Sequence, residues 1–400
     1  MDLRSDYPYS LLRKGIIKSY PSLQQNLRCD IAVIGAGITG SLIAYHLEKA
    51  GADLAIFDRR HVGMGSTAAS TGFLQYEIDT PLRKLIKMNG YDNAVRSYMI
   101  SRQSLFDLEE ICLKLKTDTT FTRKASFQYA SVKKDVVGLK EEYQLRKAIG
   151  IPVEWMDDKD VCRNFGFHKP AGLFSADAAE IDAYIFTHVL LDYCSRKSIP
   201  IYDHTNIVGI NHHKNGVELQ TGNGKIIKAK KLVIACGYES QKWLAKKVET
   251  FNSTYAIISE PLYCSAGWFK NALIWETAFP YLYIRFSSDK RIIVGGKDDV
   301  FSNPLKRDRL LSSKAKALEH SFRKLFPAIP FRTDFKWAGV FAYTKDGLPY
   351  IGNVAAHPAV YFALGYGGNG ITFSVIAAQI IRDLIYHKKN EGAKIFSFDR

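Results

Sequence analysis

The 400-residue chain has 55 lysines and arginines against 40 aspartates and glutamates, a net charge of +15, and 46% hydrophobic residues. This is an ordinary globular composition with apolar content for two or three domain-sized units, and no stretch reaches the uncharged apolar length of a membrane span. Six cysteines without a C-x-x-C pair exclude a zinc finger or a disulfide framework, so buried free thiols and no metal site are expected. The first 28 residues include Asp2, Arg4, Asp6, Arg13, Lys14 and Lys18 and no leader-length apolar run, so a cytoplasmic chain is expected. Lysine pairs such as Lys133-Lys134, Lys246-Lys247 and Lys388-Lys389 lie far apart without interleaved aromatics, which argues for a solvated surface and against a nucleic-acid partner.

In chain order, Asp30 to Gly35 is a short apolar run ending in glycine and reads as a strand buried on both faces. The following Gly35-Ala36-Gly37-Ile38-Thr39-Gly40 is G-x-G-x-x-G at a strand-to-helix turn, where glycine permits the tight turn, close approach of a pyrophosphate, and helix-on-strand packing. Phosphates placed there meet the helix N-terminus and the positive end of its dipole. Leu42, Ile43, Ala44 and Leu47 make the buried stripe, Gly51 ends the helix, and Leu54 to Phe57 form a second strand closed by Asp58. That is where a βαβ unit places the carboxylate that accepts hydrogen bonds from a ribose diol.

Residues 59–72, which include Arg59, Arg60, His61, Ser66, Thr67, Thr71 and Gly72, are rich in small and hydroxylated side chains and read as a second contact along a long ligand. Helical spacing from Pro81 to Lys116 predicts two helices broken near Asn89-Gly90. Residues 118–172 read as an inserted lobe, with a strand from Ser126 to Val132, a charged helix from Lys133 to Ile149 and a strand from Val153 to Met156. Asp182 to Lys197 reads as a helix, and Ile199 to Ile210, Val217 to Gln220 and Lys225 to Ala229 as a meander leading to the buried run Leu232 to Gly237. His212 and His213 fall in an expected exposed turn. Strands are expected at Tyr255 to Ser259, Tyr263 to Ser265, Tyr281 to Phe286 and Arg291 to Gly295, then a helix at Leu310 to Leu325 and a strand at Val360 to Leu364. Gly365 to Ile371 opens a last helix, a second glycine-rich helix start that can stabilise negative charge on a reduced ring if it reaches the same crevice.

D-I-A-V-I-G-A-G-I-T-G with Asp58, G-S-T-A-A-S-T-G, L-V-I-A-C-G, Y-L-Y-I-R-F-S-S-D-K-R-I-I-V-G-G, W-A-G with T-K-D-G-L-P-Y-I-G, and G-Y-G-G-N-G-I-T occur in this order along the chain. In these motifs the sequence resembles the FAD-dependent D-amino-acid oxidase/glycine oxidase superfamily. The resemblance implies an α/β fold: a Rossmann-like FAD-binding domain from residues 29–90, 177–250 and 337–400, and an antiparallel-sheet substrate domain from 118–172 and 251–336. It implies that Gly35 to Gly40 hold the pyrophosphate of FAD, and Asp58, Arg59 and Arg60 the adenosine ribose. Ser66, Thr67, Thr71, Gly72 and Phe73 then follow the ribityl chain and flavin edge, Ile207 meets the adenine, and Cys236 and Gly237 pass beneath the pyrophosphate. Gly367, Gly368, Asn369, Gly370, Ile371 and Thr372 face the flavin, with Gly339 and Asp346 near the ring.

The implied activity is oxidation of a C–N bond of an amine or amino acid by hydride transfer to flavin N5, with oxygen or another electron acceptor. Members of the glycine-oxidase type have an arginine where this chain has Phe341, and a phenyl ring does not replace a guanidinium–carboxylate clamp. Arg285 is the candidate replacement, and Tyr283, Arg285, Phe341 and Tyr343 are the expected substrate-facing residues. The alternatives are a 2-hydroxy-acid or polyol-phosphate dehydrogenase with His61 as its base, a tRNA-modifying flavoprotein oxidase, and a nicotinamide-binding protein using Arg59-Arg60.

Overall fold

The computed structural model describes residues 1–262 and 268–400, so the strand expected at Tyr263 to Ser265 lies outside the described residues. The apolar run before Gly35 forms the strand Leu27–Ile34. It pairs in parallel with Leu54–Phe57 on one side and Ile226–Ile234 on the other, with Ile201–Tyr202 and His357–Leu364 beyond them. Successive side chains alternate between the sheet's faces, and both faces are covered. Ile31 and Val33 pack beneath the helices Ile38–Lys49, Ala183–Arg196 and Gly370–Ile385, while Ala32 and Ile34 share a second core with Val217 and Leu219 of the antiparallel strands Ile207–His213 and Gly216–Thr221. Tyr350–Val354 completes this sheet of eight described strands.

The second sheet has ten described strands. Its long pair Thr250–Ser259 against Thr333–Tyr343 lies near one edge, followed across the sheet by Ile292–Asp299, Tyr283–Phe286, Leu273–Glu276, Thr122–Tyr129 and Ala171–Glu180. Its apolar face buries Ile257, Val294 and Ala338 under Leu311, Leu318 and Phe322 of the helix Pro304–Leu325. That helix begins with the Asn303 side-chain Oδ1 accepting the Lys306 N–H and with Pro304 at its first position, both favoured at an N-terminus.

The two helices expected between Pro81 and Lys116 are Leu82–Asn89 and Tyr91–Leu115. The strand expected from Ile199 to Ile210 is broken, because Asp203 leaves the ladder to accept the Tyr20 and Val62 N–H groups and His204 takes a left-handed φ of 45°. Lys225 to Gly237 contains one continuous strand where two runs were expected. His212 and His213 end a strand and are exposed. The expected domain limits cut through pairings: Phe73–Gln75, the whole of Ala171–Glu180 and the whole of Thr333–Tyr343 belong to the ten-stranded sheet. Strand ladders, invisible to composition, decide that membership.

Candidate active site

A cavity with about 1960 Å³ of empty space, counted to its open mouth, lies between the C-terminal ends of the parallel strands and neighbouring strands of the second sheet. At its first end Gly35, Gly37, Ile38 and Thr39 form the strand-to-helix turn. Gly35 has φ +103°, and a Cβ there would lie 2.4 Å from the Ala235 carbonyl oxygen, so close backbone approach demands glycine. Ala36 and Gly40 do not line the cavity; a Cβ on Gly40 would fall 1.8 Å from the Gly35 oxygen, which fixes its role as helix-on-strand packing. Thr67 closes the turn from the following loop, its Oγ1 accepting the Ile38 N–H at 3.0 Å.

Asp58 ends the neighbouring strand and holds the same turn. Its Oδ2 accepts the Ala36 N–H at 2.8 Å and its Oδ1 the Arg60 N–H at 2.9 Å. Burial pushes its carboxyl pKa up to about 6, against the pull of those two donors. Arg59 and Arg60 both pair with Glu239, at 2.5 and 3.0 Å, and with Lys242 they supply the positive charge at this end. Ile207, Cys236 and Gly237 form the adjoining wall.

Ser66, Thr67, Thr71 and Phe73 line the middle of the cavity, and the Ser66 hydroxyl is buried there without a protein partner. Opposite lies the second glycine-rich turn. Its helix packs on the first, with Thr39 Oγ1 and Ser374 Oγ 2.8 Å apart, so two helix N-termini more than 300 residues apart in sequence point at one crevice. Gly367, Gly368, Gly370 and Ile371 line it, as does Gly339 across the way. Asn369 and Thr372 are buried behind, where the Asn369 amide donates to the Glu77 carbonyl and the Thr372 hydroxyl to the Asn369 carbonyl.

The far end is aromatic and acidic. Trp275, Tyr281, Tyr283 and Phe341 face it, with Tyr281 6.2 Å from Trp275 and 6.0 Å from Tyr283 between ring centres. Tyr343 stands behind, edge-on to Phe341 at 4.8 Å. Asp79 accepts the Gly368 N–H at 2.7 Å and the Tyr281 hydroxyl at 3.2 Å, and burial outweighs these donors to raise its pKa. Asp298 is pushed up to about 7 by burial, with the Asp79 charge adding and the Thr254 hydroxyl and Lys314 opposing. Its Oδ1 is buried without a partner among the described residues.

Asp79, Asp298, Tyr281 and Trp275 are not among the site residues expected from the sequence. Asp298 reaches the cavity through a β-bulge: the register moves from Tyr255↔Gly296 to Ser253↔Asp299, and Gly296 and Lys297 take φ of +130° and +59°. Strand alternation alone cannot place such a residue.

Three expected placements need correction. Arg285 does not line this cavity. It lies two residues beyond Tyr283 along the strand, where the Thr71-Gly72 loop intervenes, and its guanidinium donates to the Thr71 carbonyl at 2.6 Å and pairs with Glu180 at 3.0 Å. Gly72 sits over it, a Cβ there falling 3.4 Å from its Nη2. Asp346 also lies away from the cavity: it accepts from Asn89 and Leu348 and pairs with Arg400 at 3.0 Å. Burial would raise its pKa, but Arg400 and these donors hold it below the usual range. His61 lies outside as well, its Nδ1 3.1 Å from Asp203 and its Nε2 3.3 Å from His204.

A parallel sheet with a glycine-rich turn, a terminal carboxylate, and a second sheet walling a long crevice define a dinucleotide-dependent oxidoreductase scaffold. The residues present fit FAD: an anion-ready turn, a buried acceptor at the ribose position, a buried unpartnered hydroxyl midway, and a second helix N-terminus beyond. The chain belongs to the DAO family of FAD-dependent oxidoreductases, whose family model matches residues 30–384. Among similar proteins, glycine oxidase of Geobacillus kaustophilus is 24% identical over 90% of this chain and 94% of that protein. Gamma-glutamylputrescine oxidoreductase of Escherichia coli is 23% identical over 92% of this chain and 85% of its own. The crystal structure of the Geobacillus kaustophilus glycine oxidase superposes with a TM-score of 0.79 at 20% identity, covering 94% of this chain and 99% of that one. No described helix is long and apolar enough to cross a membrane.

Proposed function

We propose that this FAD-dependent oxidoreductase oxidises a C–N bond of an amine or amino acid. The observation that carries the reading is the pair Asp79 and Asp298 at the aromatic end: an amine or amino acid brings a nitrogen that can donate to them, whereas a 2-hydroxy acid or polyol phosphate is anionic and brings none. The glycine oxidases and the gamma-glutamylputrescine oxidoreductase among its similar proteins bear names of C–N substrates, which supports the same choice. His61, the base an alcohol substrate would call on, is held by Asp203 and His204 outside the cavity.

FAD, when bound, supplies the acceptor for the two electrons that leave with the substrate hydrogen. Asp58 and the glycine turn hold its adenosine and pyrophosphate, and the loop at Ser66, Thr67 and Thr71 its extended middle. Tyr281, Tyr283 and Phe341 orient the substrate and exclude water from the reacting carbon. The substrate nitrogen, an ammonium in solution, gives up one proton to solvent before its carbon is oxidised, so the hydrogen leaves from the carbon of a neutral amine. The resulting C=N bond is hydrolysed by water to a carbonyl compound and an amine or ammonia. Anaerobic mixing of the flavin-loaded protein with amines, amino acids, hydroxy acids and polyol phosphates tests the reading: flavin bleaching by a compound of the first two classes is expected, and bleaching only by the last two overturns it.

A further inference from the structure

We infer that the aromatic end accepts an amine carrying a second, positively charged nitrogen, of the α,ω-diamine or polyamine type, in preference to an α-amino acid. This rests on the C–N oxidation reading and names its substrate class. The charges are sorted along the cavity. Among the described residues, its lining cations are Arg59, Arg60 and Lys242, all at the nucleotide end, where both arginines pair with Glu239. Arg285, the nearest guanidinium along the aromatic strand, is spent on Thr71 and Glu180 behind the wall. A substrate carboxylate therefore meets no cation, and beside Asp79 and Asp298 it is opposed by whatever negative charge those acids carry.

The two acids differ in what they still need. Asp79 already accepts from Gly368 and Tyr281, whereas Asp298 has a buried Oδ1 with no partner. An ammonium donates to that atom and neutralises it in one contact. Trp275, Tyr281, Tyr283 and Phe341 add ring faces, which attract cations and also cover methylene chains. The reacting nitrogen is uncharged when its carbon is oxidised, so the charge that two carboxylates hold belongs to a second nitrogen. Burial of Asp298, which makes its ionisation costly alone, is offset once that nitrogen arrives.

The test uses the flavin-loaded protein with butane-1,4-diamine, spermidine, butylamine, glycine and D-alanine as reductants, and tetramethylammonium and benzoate as unreactive ligands read by flavin difference spectra and thermal shift. The diamine or spermidine should bleach the flavin at concentrations roughly tenfold or more below the amino acids, and tetramethylammonium should raise Tm where benzoate does not. Asp298→Asn should raise the half-saturating diamine concentration by about thirtyfold or more and change that for butylamine far less. Should Asp298→Asn fail to hold flavin, Phe341→Arg decides: a cation beside the two acids should abolish the diamine response and bring in a benzoate difference spectrum. Bleaching by amino acids ahead of the diamine, or benzoate binding to the unmodified protein without tetramethylammonium binding, overturns the inference and leaves C–N oxidation standing. Bleaching by no amine and no amino acid overturns both.

Discussion

The Gly368 N–H donates to Asp79 Oδ2 at 2.7 Å across 289 residues of sequence. That bond ties the start of the last helix to the segment leading out of the cofactor loop, and Gly367 makes room for it, since a Cβ there would fall 2.4 Å from the same oxygen. The Tyr281 hydroxyl donates to the other oxygen, so one carboxylate joins both sheets at the cavity.

Asp79→Ala should therefore leave two donors without an acceptor and destabilise the apoprotein by about 1–3 kcal/mol. Asp79→Asn keeps an acceptor and should lose less. Thermal unfolding checks the order, and an alanine variant as stable as the parent would contradict it.

Asp58→Ala should weaken flavin retention. The ribose loses a charge-assisted acceptor worth on the order of 1.5–3 kcal/mol, and the Ala36 and Arg60 N–H groups lose theirs as well. The dissociation constant for FAD should rise roughly ten- to hundredfold, measured by fluorescence of released flavin. Unchanged retention would remove Asp58 from the ribose site.

The nucleotide end was legible because its chemistry is local. Strand, glycine turn, helix and acid follow within residues 30–58, and a short motif carries both the local fold and one end of the cavity. The acidic, aromatic end was not. Asp79 becomes a site residue only through a partner 289 positions away, and Asp298 only through a bulge that re-aims it. Arg285 misled for the same reason: its strand and even its face suited a substrate contact, but Glu180 and Thr71 claim its donors from other parts of the chain.

Arg285→Ala should then act on stability rather than selectivity. Among the described residues Glu180 then keeps only Lys124 as an ion-pair partner, at 3.5 Å, and the Thr71 carbonyl loses its donor, a cost of about 1–3 kcal/mol. A lower Tm with an unchanged ratio of kcat/KM for amine and amino-acid substrates is expected. A selective loss of carboxylate substrates would return Arg285 to the substrate site.

Asp298 also writes itself into the pH dependence of the apoprotein. Its folded pKa of about 7 lies above the ordinary 3.8, so between those values the native state keeps a proton that the unfolded chain has released. Stability contributed by the protonated form is full at the acid limit and is lost as pH rises toward about 7, after which the loss levels off. Asp79 and Asp299 strengthen the effect and Lys314 and the Thr254 hydroxyl weaken it, while Tyr281, Tyr283 and Tyr343, all raised by burial first, stay neutral throughout. Asp298→Asn removes this titration at nearly constant volume. The variant and the parent should differ by a fixed packing offset near pH 4, and the variant should gain on the parent by up to about 1.4 kcal/mol per pH unit up to neutrality. Denaturant titrations at several pH values give the gap directly. A gap independent of pH would show that Asp298 is ionised at its ordinary pKa in the folded protein.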